Sequence, residues 1–296
     1  MGAALRTYRR KIRSVANIQK ITRAMELIAA SRIVRAQQRV QQSRPYTEQI
    51  TRAIENIASQ TDIAHPLVEE RADPGDVAVL VVTSDRGLAG AYSASVLRTT
   101  EQLLALLHDE GKRPRLYVIG RKGVGYFRFR EREMTRTWTG FSEQPSYDDA
   151  KQVADTLIEA FVEHEVDEIH AVYTDFVTML TQRAVARRFL PLVVEETDEP
   201  SPHGPVPLYI FEPSPQAVLD ALLPRYVESR VFTALLESAA SESASRRRAM
   251  KAATDNAEEL IKVYTRAANQ ARQAEITQEI MEIVGGAEAL QKTGSD

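Results

Sequence analysis

Apolar residues recur in steps of three and four at both ends of the chain. Near the start, Leu5, Tyr8, Ile12, Val15, Ile18, Ile21, Met25 and Ile28 keep this spacing, and Ile33, Ala36 and Val40 continue it. Such spacing puts one apolar seam on an amphipathic helix. No glycine or proline falls between Ala3 and Arg44, and Tyr46 to Ala58 resumes the spacing beyond Pro45. A second seam runs through Leu219, Leu222, Tyr226, Leu235, Ala239, Met250, Ala253, Ala257, Leu260, Tyr264, Ala267, Ala271 and Ala274. The segment from Ser214 to Leu290 has no proline after Pro224 and no glycine before Gly285. It is therefore expected to run as one helix, roughly 100 Å long at about 1.5 Å per residue. A helix of that length needs support along its sides. Its middle is rich in Ala and Ser, which lets another backbone come close. The economical arrangement is an antiparallel coiled coil between the two ends of the chain.

The middle of the chain changes period. Asp73-Pro74-Gly75 marks a boundary. VAVLVV (77–82), RLYVIG (115–120) and DEIHAVYTDF (167–176) read as strands, and LPLVV (190–194) and PLYIFEP (207–213) as further strand candidates. A helical pattern covers Ser93 to His108 and Tyr147 to His164, and Thr181 to Arg188 is read as a short helix. GRKGVGYFRFR (120–130) leads into a short helix or loop, and a Pro-rich loop covers Glu199 to Pro207. Alternating aliphatic strands and helices imply a mainly parallel, doubly wound sheet. The expected fold class is α/β: an antiparallel coiled coil of long N- and C-terminal helices with an inserted Rossmann-like α/β domain. The expected divisions are residues 1–60 for the N-terminal helix, 74–212 for the α/β domain and 213–290 for the C-terminal helix.

Charge sharpens this picture more than composition does. The 296 residues carry a net charge of −3. Yet the first 44 hold eleven Lys and Arg against the single acid Glu26, a local balance of +10, which leaves −13 on the rest. So dense and unopposed a basic segment looks for an acidic partner rather than only for water. There is no cysteine, which removes disulfides, thiolate metal sites and cysteine nucleophiles. The longest aliphatic run, VAVLVV, is too short to span a bilayer, and the N-terminus lacks the apolar core of a signal peptide. An intracellular or peripheral protein is expected, without direct bilayer insertion.

Candidate chemistry is sparse. SDRGLAGAY (84–92) follows a strand and opens a helix, the position of a phosphate loop, but neither GxGxxG nor GxxxxGK[ST] occurs. A tight turn that docks the helix is the better reading. GRKGVG (120–125) has the composition to cradle an anion, though a basic loop at a strand end is the better reading. The histidines at 65, 108, 164, 170 and 203 show no metal-ligand spacing, and His164 and His170 read as solvated turn residues. Asp148 and Asp149 sit at a helix start. No catalytic, cofactor-binding or metal-binding residue is assigned, and no cofactor is expected.

Longer motifs carry a resemblance. ITQEIMEIVGGAEA (276–289), with Thr277, Glu279, Glu282, Gly286 and Ala287 at the patterned positions, is similar to the C-terminal signature of the gamma subunit of F-type ATP synthase. AMKAATDNA (249–257), NQARQ (269–273), IQKITRAMELIAASRI (18–33), SDRGLAGAY, GRKG, VDEIHAVYTDF and FEPSPQAVLDALLPRYVESR (211–230) extend the resemblance over nearly the whole chain. The resemblance implies a central-stalk rotor that does no bond chemistry. It would pass torque between a proton-driven membrane c-ring and a catalytic ring of alpha and beta subunits, and would also meet the epsilon subunit. It implies a peripheral place on the cytoplasmic face of a bacterial cell membrane. It also implies contacts to the catalytic ring by Lys20, Arg23, Met25, Arg246, Arg272, Gln273, Thr277 and Glu279. Two features depart from the family pattern: Ser93 stands where Asn is frequent, and SESASRRRAM (241–250) brings Ser243 in place of His with extra Arg247 and Arg248. The absence of cysteine leaves no thiol switch of the chloroplast kind.

The competing reading is a nucleic-acid-binding coiled-coil protein, since a basic helix also suits phosphates. Chromosome-organising coiled-coil ATPases need a Walker motif, which is absent. An enzyme using the Rossmann-like middle would need the missing glycine fingerprint.

Overall fold

A computed structural model describes residues 3–58, 65, 67–68, 75–192, 212 and 214–293. Two long helices bracket a sheet: α1 (Ala3–Ala58) and α5 (Pro215–Thr293). Between them lie β1 (Asp76–Val82), α2 (Tyr92–Asp109), β2 (Arg113–Ile119), α3 (Arg121–Phe129), β3 (Arg136–Trp138), α4 (Tyr147–Val162), β4 (Glu168–Phe176) and β5 (Gln182–Leu190). The chain forms two compact units, Met1–Ile28 with Arg247–Asp296, and Ala29–Arg246.

Both long helices run through a proline, Pro45 in α1 and Pro224 in α5. Each proline withholds an N–H from the carbonyl four residues earlier. Those carbonyls belong to Gln41 and Asp220, both exposed residues, where a lost helical bond costs least.

In the first unit the two helices pair antiparallel. Tyr8 meets Tyr264 with ring centroids 6.5 Å apart, and the Thr22 and Thr254 hydroxyls meet at 2.8 Å. Lys11 Nζ lies 5.4 Å from the Tyr264 ring centre, a cation–π contact. On α5 the shielded positions include Met250, Thr254, Ala257, Ile261, Tyr264, Ala268, Ala271 and Glu275, an alternation of fours and threes, with Ala253 and Ala267 half-buried beside them. That is a heptad seam. On α1 the matching positions are Leu5, Tyr8, Ile12, Val15, Gln19, Thr22 and Glu26. Apolarity alone therefore misplaces part of the seam. Ile18, Ile21 and Ile28 were expected inside it, yet they are 50%, 59% and 53% exposed, and Leu260 on α5 is 43% exposed. Polar Gln19, Thr22 and Glu26 take the inner stations because a strict seven-residue frame fixes the facing positions, and there Thr22 and Thr254 satisfy one another.

The second unit is built on a five-stranded sheet of order β3-β2-β1-β4-β5. β1 pairs parallel with β2 and β4, β2 parallel with β3, and β4 antiparallel with β5. The run VAVLVV is apolar at every position because both faces of β1 are covered. Ala78, Leu80 and Val82 join α4, the end of α1 and the start of α5 in one core. Val77, Val79 and Val81 join α2 and α3 in the other. α4 starts on a capping box, with Ser146 Oγ accepting from Asp149 N and the Asp149 carboxylate accepting from Ser146 N.

Two readings change here. The short helix expected at Thr181 to Arg188 is instead strand β5, in register with β4 from Phe176↔Gln182 to His170↔Arg188 and shifted by one residue at Ile169↔Leu190. Its Ala and Arg content favours a helix locally, but the hairpin turn decides. Thr178 Oγ1 accepts from the N–H groups of Leu180 and Thr181, and strand pairing overrides propensity. The three-residue β3 had no signal in the sequence. Of the last two strand candidates, Leu190 closes β5. Val193, Val194, the loop 199–207 and 207–213 apart from Glu212 lie outside the described residues.

From Val227 to Arg246, α5 is buried at nearly every position. Small residues make this possible. Ser238 Oγ accepts from Thr174 N at 3.3 Å and Ser241 Oγ donates to Thr174 O at 3.3 Å, which stitches α5 to β4. On the α1 side, Thr47 and Ser229 hydroxyls meet at 2.5 Å.

Candidate functional site

A doubly wound sheet keeps its ligand crevice at the carboxyl ends of its strands, where the strand order reverses. Here that point lies between β1 and β4, and SDRGLAGAY follows β1. The loop does not stay open for a ligand. The Asp85 carboxylate sits at the start of α3 and accepts N–H bonds from Arg121 (3.2 Å), Gly140 (2.7 Å) and Ser142 (3.1 Å). The N-terminus of α3, where GRKGVG offered to cradle an anion, is thus filled by the protein's own carboxylate. Gly120 presses against β1: it has φ +93°, and a Cβ there would lie 2.2 Å from Thr83 O. Thr83 Oγ1 also accepts from Gly123 N at 2.9 Å. These glycines serve close backbone approach.

The same loop is held from the other side by α5. Arg246 Nη2 donates to Glu242 Oε1 at 2.7 Å and to the carbonyls of Arg86 and Gly87 at 3.4 and 3.3 Å. Arg246 Nη1 lies 3.2 Å from Glu143 Oε1, a charge contact without hydrogen-bond geometry. Glu143 also pairs with Arg32 of α1 and lies 3.6 Å from Arg86. Glu242 is fully buried. Burial pushes its carboxyl above the usual range, and Arg246 pulls it back without cancelling the shift. Burial likewise drives the neighbouring Tyr92 phenol far up. One ionic cluster thereby joins α1, the loop after β1, the loop after β3 and α5.

The expected contact residues fall into two groups. Lys20 and Arg23 on α1 and Arg272, Gln273, Thr277 and Glu279 on α5 are exposed, and Met25 is half-buried. All of these lie in the first unit. On the Thr22–Thr254 register, Ala3 falls opposite the Arg272–Gln273 stretch, so among the described residues no part of α1 faces the following part of α5. Ile276, Ile280, Met281, Ile283 and Val284 there are 46–72% exposed. Arg246 differs. It is 5% exposed and belongs to the second unit. Its guanidinium is engaged inside the chain, not held out to solvent.

Sequence reading missed Asp85, Glu143 and Glu242. The i,i+4 spacing of Glu242 and Arg246 was a usable signal, whereas Glu143 lies in an irregular loop that announces nothing. His170 was expected to be solvated. Instead it is half-buried and bonds Glu168 at 3.0 Å. Burial opposes the charge on Glu168, but the bonds from His170 and Lys112 overcome it and hold the carboxyl below the usual range. Among the described residues no group of three or more His, Cys, Asp or Glu is placed to hold a metal ion. No described helix is long and apolar enough to cross a membrane.

One unit thus pairs the two long helices antiparallel, and the other is a doubly wound α/β domain whose crevice the chain itself closes. The ATP synthase family model matches residues 4–290. The ATP synthase gamma chain of Acidothermus cellulolyticus is 65% identical over 300 residues, covering 100% of both chains. That of Frankia casuarinae is 64% identical over 294 residues, covering 98% of this chain and 99% of the relative. Among solved structures, a chain of the Euglena gracilis mitochondrial ATP synthase (OSCP/F1/c-ring) aligns with TM-score 0.67 at 16% identity, covering 100% of this chain and 97% of that one. A chain of the Tetrahymena thermophila mitochondrial ATP synthase central stalk and c-ring aligns with TM-score 0.58 at 20% identity, covering 79% and 99%. At those identities the structures bear on the fold. The chain belongs to the ATP synthase family, among its gamma chains.

Proposed function

We propose that this chain is the rotor of an ATP synthase central stalk and passes torque between a membrane c-ring and a catalytic ring of alpha and beta subunits. In this reading it works at the cytoplasmic face of the membrane, meets an epsilon subunit, and carries out no bond chemistry itself. The observation that supports it best is the outer face of α1. Ile18, Ile21, Leu27 and Ile28 stand exposed beside Lys20 and Arg23, outside the heptad seam. A surface both apolar and basic, kept clear of its own chain's core, suits an acidic partner with apolar ground. Lys20, Arg23, Met25, Arg272, Gln273, Thr277 and Glu279 are the proposed contacts to the ring. Different faces of an asymmetric rotor give each catalytic site different contacts, and hence different state populations. Arg246, buried in its own cluster, is reassigned to holding the rotor together.

The test is the paired reversal Lys20→Glu with Arg23→Glu, assembled into the complex in inverted membrane vesicles. The expected result is ATP hydrolysis that pumps fewer protons per turnover, with the complex still assembled. An unchanged pumping-to-hydrolysis ratio would sink the assignment.

A further inference from the structure

Between α1 and α5, within the second unit, lies a hollow that the torque role does not use. Its volume is about 370 Å³, and its walls include Arg32, Arg35 and Arg39 of α1, Glu143 of the loop before α4, and Leu236 and Ala239 of α5. Steps of three and four put the three arginines on one face of a helix. The space opens because the side chains at its floor are small: Ala36 and Ala239 are both buried there.

Negative charge in this hollow is scarce. Glu143 is the one acid among its lining residues, and α1 carries no acid between Glu26 and Glu48. Three guanidiniums already claim Glu143. Arg32 bonds it, Arg246 Nη1 lies 3.2 Å away and Arg86 Nη1 3.6 Å away. It has nothing left for Arg35 and Arg39. Arg35 Nη2 donates to the neutral Ser31 Oγ at 3.0 Å. Arg39 has no hydrogen-bond or ion-pair partner among the described residues. Like charges four residues apart on a helix repel, so this pair stands in want of an anion.

We propose that the hollow binds a phosphate group, whose oxygens accept from Arg35 and Arg39 while Glu143 holds Arg32 in place beside them. Guanidinium forks match oxyanions in geometry, and charge-assisted bonds of this kind are the stronger ones. A carboxylate answers one guanidinium. A phosphate, with a charge near −2 and several acceptor oxygens, answers two. Leu236 and the two alanines cover one side of the ion, which limits the screening that weakens such pairs on an open surface. Binding to the folded chain alone raises its stability by mass action. The site is a property of the free chain and stands apart from the role in torque.

Calorimetric titration of the full-length chain with inorganic phosphate, at neutral pH and constant ionic strength, tests this. One site with a Kd of about 1 mM is expected. Arg39→Gln and Arg35→Gln should each weaken it at least roughly tenfold. Both side chains are exposed, so the variants keep the fold. Arg128→Gln, on the exposed face of α3, should bind as wild type does. At ten times Kd, phosphate should raise the wild-type Tm by about 3 °C beyond sodium chloride of equal ionic strength. ADP is titrated beside it. ADP that competes with phosphate and is lost in Arg39→Gln places a nucleotide's terminal phosphate in the hollow, whereas ADP that does not bind leaves the free ion as the ligand. No saturable phosphate binding, or binding that both variants keep, would overturn the proposal. So would a hexaglutamate peptide that displaces phosphate and binds more tightly, since the hollow would then seat a partner's carboxylates.

Discussion

Two arginines of the same chain stand in opposite environments, and burial separates them. Arg23 is exposed on α1, while Arg246 is spent on Glu242, Glu143 and two backbone carbonyls. Truncating one partner of a buried ion pair leaves the other charged and desolvated. Arg246→Ala should therefore cost about 3–5 kcal/mol of folding stability. Arg23→Ala should stay within about 0.5 kcal/mol. Chemical denaturation of the isolated chain measures both, and a loss at Arg246 no larger than that at Arg23 would show that the cluster contributes nothing to the fold. The sequence carried half of this contrast. Both arginines stood in matching motifs, and both were assigned outward. Nothing in the order of residues told that Glu143, a hundred positions away, would fold back to claim one of them.

At the scale of elements, periodicity was the most informative signal where an element is long or covered on both faces. α1, α5, β1, β2, β4, α2 and α4 were legible because six or more positions repeat one pattern. β3 and β5 were not, since an edge strand takes its conformation from its neighbour and not from its own propensity. The seam of the helical pair was read partly wrong for a physical reason. Ile18 and Ile21 face outward, while small or polar Thr22 and Thr254 face inward. Hydroxyls that meet at 2.8 Å across the seam imply close backbones, which large inner residues would force apart. Ala257 is 4% exposed on that seam. Replacing it with Leu, a favourable seam residue in a wider coiled coil, should here destabilise the chain by about 1–3 kcal/mol through overpacking. The same change at exposed Ala252 should be close to neutral. Thermal unfolding of the two variants side by side decides it, and a stabilised Ala257→Leu would mean that the helices are not so close.

For the molecule as a whole, the site is legible as a partition between surfaces satisfied within the chain and apolar surfaces left exposed. The sheet crevice is satisfied: Asp85 fills the anion position and α5 closes the loop above it. The outer face of α1 and the stretch of α5 from Ile276 to Val284 are not. Beyond the stretch that α1 can cover, α5 still presents Ile280 and Ile283, 55% and 72% exposed. Exposed apolar residues add nothing to the stability of a free chain, but they contribute once a partner removes them from water. The double substitution Ile280→Ser with Ile283→Ser should thus leave the Tm of the free chain unchanged within about 1 °C. Full burial of such side chains is worth about 1.5–3 kcal/mol each. Since part of each is already covered, the double variant should bind a catalytic ring at least roughly tenfold more weakly. Titration of purified alpha–beta ring with wild-type and variant chains measures that loss. A fall in free-chain Tm with ring binding intact would reverse the assignment and make these isoleucines part of the chain's own core.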